Sequence, residues 1–159
     1  MAGIFATAGS KLYIGNALAS KSTNFVLGDF VGQSWVEVGW LETIGAFGDE
    51  SSEVSFDAIG EGRTQKLKGV RNAGNMDVVC GIDYEDEGQI ELRAAEGLPN
   101  DFAFKVEFND APAGGTPSER YFIAKVMGAR EALDGANNVM KLNSTLGVNS
   151  NIVRVNAAA

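Results

Sequence analysis

The residues of this sequence best placed to do chemistry are carboxylates, gathered in two groups. In the acidic run 83–91, Asp83, Glu85 and Glu87 have the spacing of the first, third and fifth ligands of a calcium-binding loop, with Gly88 at the sixth position. Such a loop needs a bidentate Glu at its twelfth position, where this sequence has Ala94, and glutamates at the third and fifth are unusual. A helix start accounts for the same acids, since negative charge is favoured at a helix N-terminus. The second group pairs Glu37 with Glu53 or Asp57, which could serve as acid and nucleophile of a glycosidase. The alternation around each of them reads instead as the solvated face of a sheet.

The rest of the composition narrows the chemistry further. Histidine is absent, which removes the commonest general base, the commonest metal ligand and every Ser-His or Cys-His nucleophile. Gly60, Gly62 and Arg63 stand between two predicted strands, where a phosphate-cradling loop would need a following lysine and helix. Arg63, Lys66, Lys68 and Arg71 are the one local basic concentration, of the kind that pairs with acidic neighbours or a partner surface. Cys80 is the single cysteine, so no internal disulfide forms, and it shares a strand face with Val78 and Ile82 as a buried thiol would. The Asn143, Ser144, Thr145 acceptor for glycosylation has no secretory signal ahead of it. No run approaches the roughly eighteen apolar residues of a membrane span. A net charge of −8 argues against gripping nucleic acid, whose affinity comes from Lys and Arg displacing counterions. No enzyme, cofactor or metal is expected.

These residues must be positioned by strands. With 45% hydrophobic residues, twenty glycines and three prolines in 159 positions, the chain reads as one mostly β domain with tight turns. Period-two alternation marks segment 35–40, with Val36, Val38 and Trp40 on one face, and segment 53–59, with Val54, Phe56 and Ala58 on one face. These two are expected to pair as a hairpin. Further strands are predicted at 11–16, 64–70, 76–82, 102–108, 121–130, 139–146 and 152–155, after a flexible arm over 1–10. The connection 41–52 is longer than an ordinary hairpin loop, and its Leu41, Ile44 and Phe47 need an apolar surface to dock on. One helix is predicted near 87–96: Asp86 caps it with Gln89 three residues on, Ile90, Ala94 and Leu98 form its apolar stripe, and Gly97 and Pro99 end it.

Four motifs together resemble tail tube proteins of long-tailed bacteriophages, of the lambda-like and gene-transfer-agent-like type. They are Trp35, Val36, Glu37, Val38; then Ile44 through Asp49; then Arg63 through Gly69; then Asn72 through Met76. The resemblance extends loosely over nearly the whole chain. It implies a β-sandwich with one flanking helix, a long hairpin loop and extended termini. It also implies hexameric rings stacked into a tube with a continuous β-barrel lumen, with tape measure, tail tip and terminator proteins as partners and DNA passing through without specific binding. The setting it implies is a virion tail assembled in the bacterial host cytoplasm. Some members of the family carry a further C-terminal immunoglobulin-like domain, for which this chain has no room.

On that footing Glu37, Glu53, Ser55, Asp57 and Asp77 are expected to face the lumen, and Trp40, Leu41, Ile44, Phe47, Asp49 and Glu50 to form a loop between rings. The alternatives are a tube of a contractile tail or related secretion apparatus, a β-sandwich hydrolase using the carboxylates, and a carbohydrate-binding module using Trp35, Trp40 and Tyr121 as a sugar platform.

Overall fold

The structure, a computed structural model, describes residues 3–159. Alternation of apolar and polar residues builds its main strands, because a half-buried strand turns every second side chain inward. β1 (Lys11–Ala17) buries Leu12 and Ile14, and β2 (Val36–Glu37) and β3 (Leu41–Thr43) are short. β4 (Glu50–Asp57) and β5 (Thr64–Asn72) bury almost nothing, whereas β6 (Asn75–Gly81) buries Met76, Val78 and Cys80. After helix α1 (Glu87–Glu96) come β7 (Phe102–Glu107), the long β8 (Glu119–Ala132), β9 (Lys141–Val148) and β10 (Val153–Val155). Residues 3–10 run outside the sheet, with the Ala8 carbonyl held by the Asn109 amide at 2.8 Å; Met1 and Ala2 of the expected arm lie outside the described residues.

Eight strands form one antiparallel sheet in the order β2-β1-β7-β8-β9-β6-β3, with β10 beside β8. β8 joins two leaves: its first half pairs with β7 and β10, and its second half pairs with β9. A register shift between Val126 and Gly128 lies where β8 passes from one leaf to the other. Leu12, Ile14, Phe104 and Phe122 from one leaf share a core with Met76, Val78, Leu142 and Leu146 from the other. The rings of Phe104 and Phe122 stack with centroids 5.8 Å apart. A second cluster, in which Phe25 and Phe30 cover Ala103, Tyr121 and Ile123, seals the outer face of the first leaf. The mostly β fold with one helix is therefore as expected, with the layers made by one continuous sheet.

Two expectations about pairing are corrected. Segment 35–40 does not pair with 53–59: only Val36 and Glu37 are strand, facing Tyr13 and Ile14, and the chain leaves the pattern at Trp40, whose φ is +58°. β4 pairs with β5 instead, closed by a turn in which Gly62 supplies a φ of +64°. The connection 41–52 is also shorter than read, because Leu41–Thr43 forms β3 against β6 and Glu50 already begins β4.

The helix spans the predicted residues, and the Asp86 carboxylate accepts from Gln89 N at 3.0 Å as its cap. Its buried face is a different one from that expected. Gly88, Gln89, Leu92 and Ala95 point inward, while Ile90, Ala94 and Leu98 are exposed. Contact distance decides the orientation: the helix presses so closely on the end of β2 that a Cβ on Gly88 would collide with the Glu37 carbonyl, and only glycine fits.

Candidate assembly surfaces

Among the described residues β4 and β5 pair only with each other. Their register sets Glu53 opposite Lys68, Ser55 opposite Lys66 and Asp57 opposite Thr64 on one face, with Val54 opposite Leu67 and Phe56 opposite Gln65 on the other. The apolar face is uncovered, with Phe56 61% and Leu67 59% exposed, and Ile59 in the turn is fully exposed. Val70, beside the register shift between Ser51 and Glu53, is 80% exposed. A lone two-stranded hairpin is at best marginally stable in water, and its two outer edges carry unpaired backbone groups that template further strands. The geometry calls for something to cover the face and pair the edges.

The expected lumen residues do not all share a surface. Glu53, Ser55 and Asp57 do line one hairpin face, but Lys66 and Lys68 are interleaved with them, so the face is of mixed charge rather than acidic. Asp77 is exposed on the outer face of the β6–β9 leaf, 3.4 Å from the Thr145 hydroxyl. Glu37 stands opposite Tyr13 on the outer side of the other leaf, where its charge helps raise the pKa of that phenol after burial and Glu107.

The expected loop residues are placed differently again. Leu41, Ile44 and Phe47 are packed on the main core, and the Phe47 ring stacks on Phe122 at 5.8 Å. Gly45, at φ +80°, sits so tightly on the backbone of Asp77 that a Cβ would meet its carbonyl oxygen. The apolar surface this segment needed is therefore the chain's own core. Trp40 remains exposed, its indole N–H donating to Asp83 at 3.1 Å. Asp49 pairs with Arg71 at 2.8 Å, and Glu50 is exposed opposite Asn72.

Two clefts of opposite charge were not anticipated. At the hairpin root, Arg71, Arg120 and Arg154 line a cleft with Asn151 and a single carboxylate, Asp49. Beside the helix start, Glu37, Asp83, Glu85 and Glu87 line another with Trp35 and Trp40. The acids there do not converge as a metal site would: among the described residues no group of three His, Cys, Asp or Glu could hold an ion. Nor do the aromatics form a sugar platform, because Tyr121 is buried and bonded to Glu119 while Trp35 packs against it at 5.9 Å. Of the basic concentration seen in the sequence only Arg71 lines the cleft; Arg120 and Arg154 reach it through the β8–β10 pairing, which places them side by side.

No family model matches the chain, and no curated protein matches it in sequence. Solved structures do match in three dimensions. The chain superposes on a chain of the anti-feeding prophage baseplate with a TM-score of 0.72 at 10% identity, over 98% of both chains. It superposes on a chain of the PVC sheath/tube terminator of an extracellular contractile injection system at 0.65, with 10% identity over 96% of this chain and 97% of that one. For the SPP1 tail tube the TM-score is 0.63, with 14% identity over 92% of this chain and 77% of that one. The chain shares the fold of these proteins. Coverage of 98% leaves room for only a few unmatched residues, so the exposed hairpin belongs to the shared fold rather than being an insertion into it.

Proposed function

We propose that this chain is a structural, non-enzymatic subunit of a bacteriophage tail tube of the lambda-like or gene-transfer-agent-like kind. Copies close into rings of six, and the rings stack into a hollow conduit for genome ejection. The observation that carries the reading is the unpartnered hairpin, whose exposed apolar face and open edges require a neighbouring copy, in a chain whose fold is that of the SPP1 tail tube. Strand pairing between copies closes a barrel and removes the sheet edges.

In such a ring the hairpin face carrying Glu53, Ser55 and Asp57 lines the lumen along with the outer face of the β6–β9 leaf, where Asp77 stands, while Val54, Phe56 and Leu67 are covered by the adjacent subunit. Glu37, on the outer side of the other leaf, has no place in that wall. Mixed charge along that hairpin face suits a surface over which DNA slides, since electrostatic effects fade over about 8 Å at physiological salt. Contact between rings falls to the hairpin and its root at Asp49 and Glu50 rather than to Leu41, Ile44 and Phe47. A tape measure protein fills the lumen before DNA does, tip and terminator proteins close the ends, and assembly takes place in the host cytoplasm before the tail joins the virion.

Negative-stain imaging of the concentrated protein tests the reading. Rings or tubes with an open axis are expected. A protein that stays monomeric at every concentration, and is missing from the tails of particles made by its source, overturns it.

A further inference from the structure

The two charged clefts lie at opposite ends of the same pair of strands. β6 and β9 are in register from Asn75 opposite Gly147 to Gly81 opposite Lys141, a span of roughly 20 Å. Arg71 lies just before the start of β6, and Asn151 and Arg154 follow the end of β9. Asp83, Glu85 and Glu87 follow the other end of β6. The protomer is thus electrically polar along these strands.

Its own ion pairs leave both ends largely unneutralised. Among the described residues the pairs are Lys21–Asp29, Arg71–Asp49, Arg93–Glu131, Lys125–Asp101 and Lys141–Glu42. None involves Arg120, Arg154, Glu37, Asp83, Glu85 or Glu87. Arg120 is buried against Phe108, donates to the carbonyls of Glu119 and Val155, and faces Arg154 directly across the β8–β10 pair. Burial first, and then the Arg154 charge, hold its pKa below the ordinary arginine value.

We infer that the arginine cleft of one copy seats the carboxylates of the acidic cleft of the next, so that copies join through unlike ends. The inference rests on the self-assembly proposed above and adds the residues that fix its direction. A contact between two different patches does not saturate with two copies but continues into a ring or filament, as an assembling tube requires. Guanidinium forks match carboxylates geometrically as well as electrically. A nucleic acid phosphate would fit the same forks, but the chain's net charge of −8 opposes its approach.

The test is an exchange of charges between clefts. One variant carries Arg71→Glu and Arg154→Glu, the other Glu37→Arg, Glu85→Arg and Glu87→Arg, enough to reverse the sign of each cleft; all five residues are exposed, and circular dichroism reports their folding. Each variant alone is expected to need at least about tenfold more protein than wild type to assemble, read by light scattering and electron microscopy. An equimolar mixture is expected to recover, because every contact can then join unlike charges; recovery also requires that both variants be folded. Variants that assemble like wild type, or a mixture no better than its components, overturn the inference while leaving the tube reading intact. Wild type that never assembles removes both. Binding of a short DNA duplex that is lost with Arg154→Glu, with assembly unchanged, reassigns the cleft to phosphate and also overturns it.

Discussion

The side-chain amide of Gln89 donates to the carbonyl of Gly39 at 3.1 Å, joining residues fifty positions apart in sequence. The same amide donates to Gly81 at 2.8 Å, and its oxygen accepts from Asp83 N at 3.0 Å. Asp86 completes the junction by accepting from Gly39 N at 3.1 Å while it caps the helix. One buried glutamine therefore fixes the helix, the β2–β3 turn and the exit from β6, and with them the shape of the acidic cleft. Gln89→Leu would remove all three bonds and leave buried carbonyls unpaired, at a cost of about 3 kcal/mol. Thermal denaturation should show a fall in Tm of roughly 6–12 °C for a chain of this size. A fall under about 2 °C would mean that water replaces the amide.

Gly88 sets a contest between two effects of opposite sign. Alanine is the better helix former by about 1 kcal/mol. Against this, its Cβ would strike the backbone at Glu37, which cannot swing aside as a flexible side chain could. Overpacking of this kind costs about 1–3 kcal/mol, and more where backbone is the obstacle. Gly88→Ala is therefore expected to lower the denaturation midpoint, whereas Ile90→Ala on the exposed face should shift stability by no more than about 0.5 kcal/mol.

These two sites show what the sequence could and could not convey. The helix was legible because capping is local: Asp86 and Gln89 are three residues apart and need no tertiary partner. Its buried face was not, since Ile90, Ala94 and Leu98 have the better apolar spacing and lose only because Gly88 permits the closer approach to β2. The strands of the core were readable from alternation. The hairpin partner was not, because Trp40 leaves the pattern by a positive φ that its residue type disfavours. The apolar residues of 41–47 were correctly read as needing a surface, but alternation cannot distinguish the chain's own core from a neighbour's. The arginine cleft depends on β10 returning beside β8, a pairing with no local signature.

Cys80 is fully buried between the leaves, and burial raises its thiol pKa to about 11. Thiol reagents attack the thiolate, so at about pH 8 roughly one molecule in a thousand carries the reactive form, even before access is considered. Native protein is expected to be inert to a disulfide reagent and to react fully in denaturant. Fast labelling of the native state would mean that the β6–β9 leaf opens locally.

Asp110 clips the end of the 108–118 loop by accepting from the Ser118 hydroxyl at 2.6 Å and its N–H at 2.8 Å, and Ser118 in turn accepts from Ala157 N. The Ser118 bonds, side chain first, hold the Asp110 pKa below the ordinary carboxylate value. A depressed pKa favours the folded state at pH values above the unfolded pKa, and that contribution disappears as pH falls through the folded one. Asp110→Asn should therefore be less stable than wild type near neutrality, and the two melting curves should converge as pH drops below about 4. Curves that stay parallel to the lowest accessible pH would show that the carboxylate charge contributes nothing.

The hairpin separates folding from assembly most sharply, because its apolar side chains are exposed in the protomer. Phe56→Ser with Leu67→Ser removes nothing from the core, so the monomer should unfold within about 0.5 kcal/mol of wild type. Phe122→Ala, which removes the ring stacked between Phe104 and Phe47, should cost about 3–5 kcal/mol. Assembly should reverse the order of severity. The double serine variant is expected to stay monomeric at concentrations where wild type forms rings, because the face that a neighbour would cover has become polar. Sedimentation velocity on the folded variant decides the matter: wild-type oligomers from the double variant would mean that subunits meet elsewhere and that the exposed Phe56 and Leu67 serve another contact.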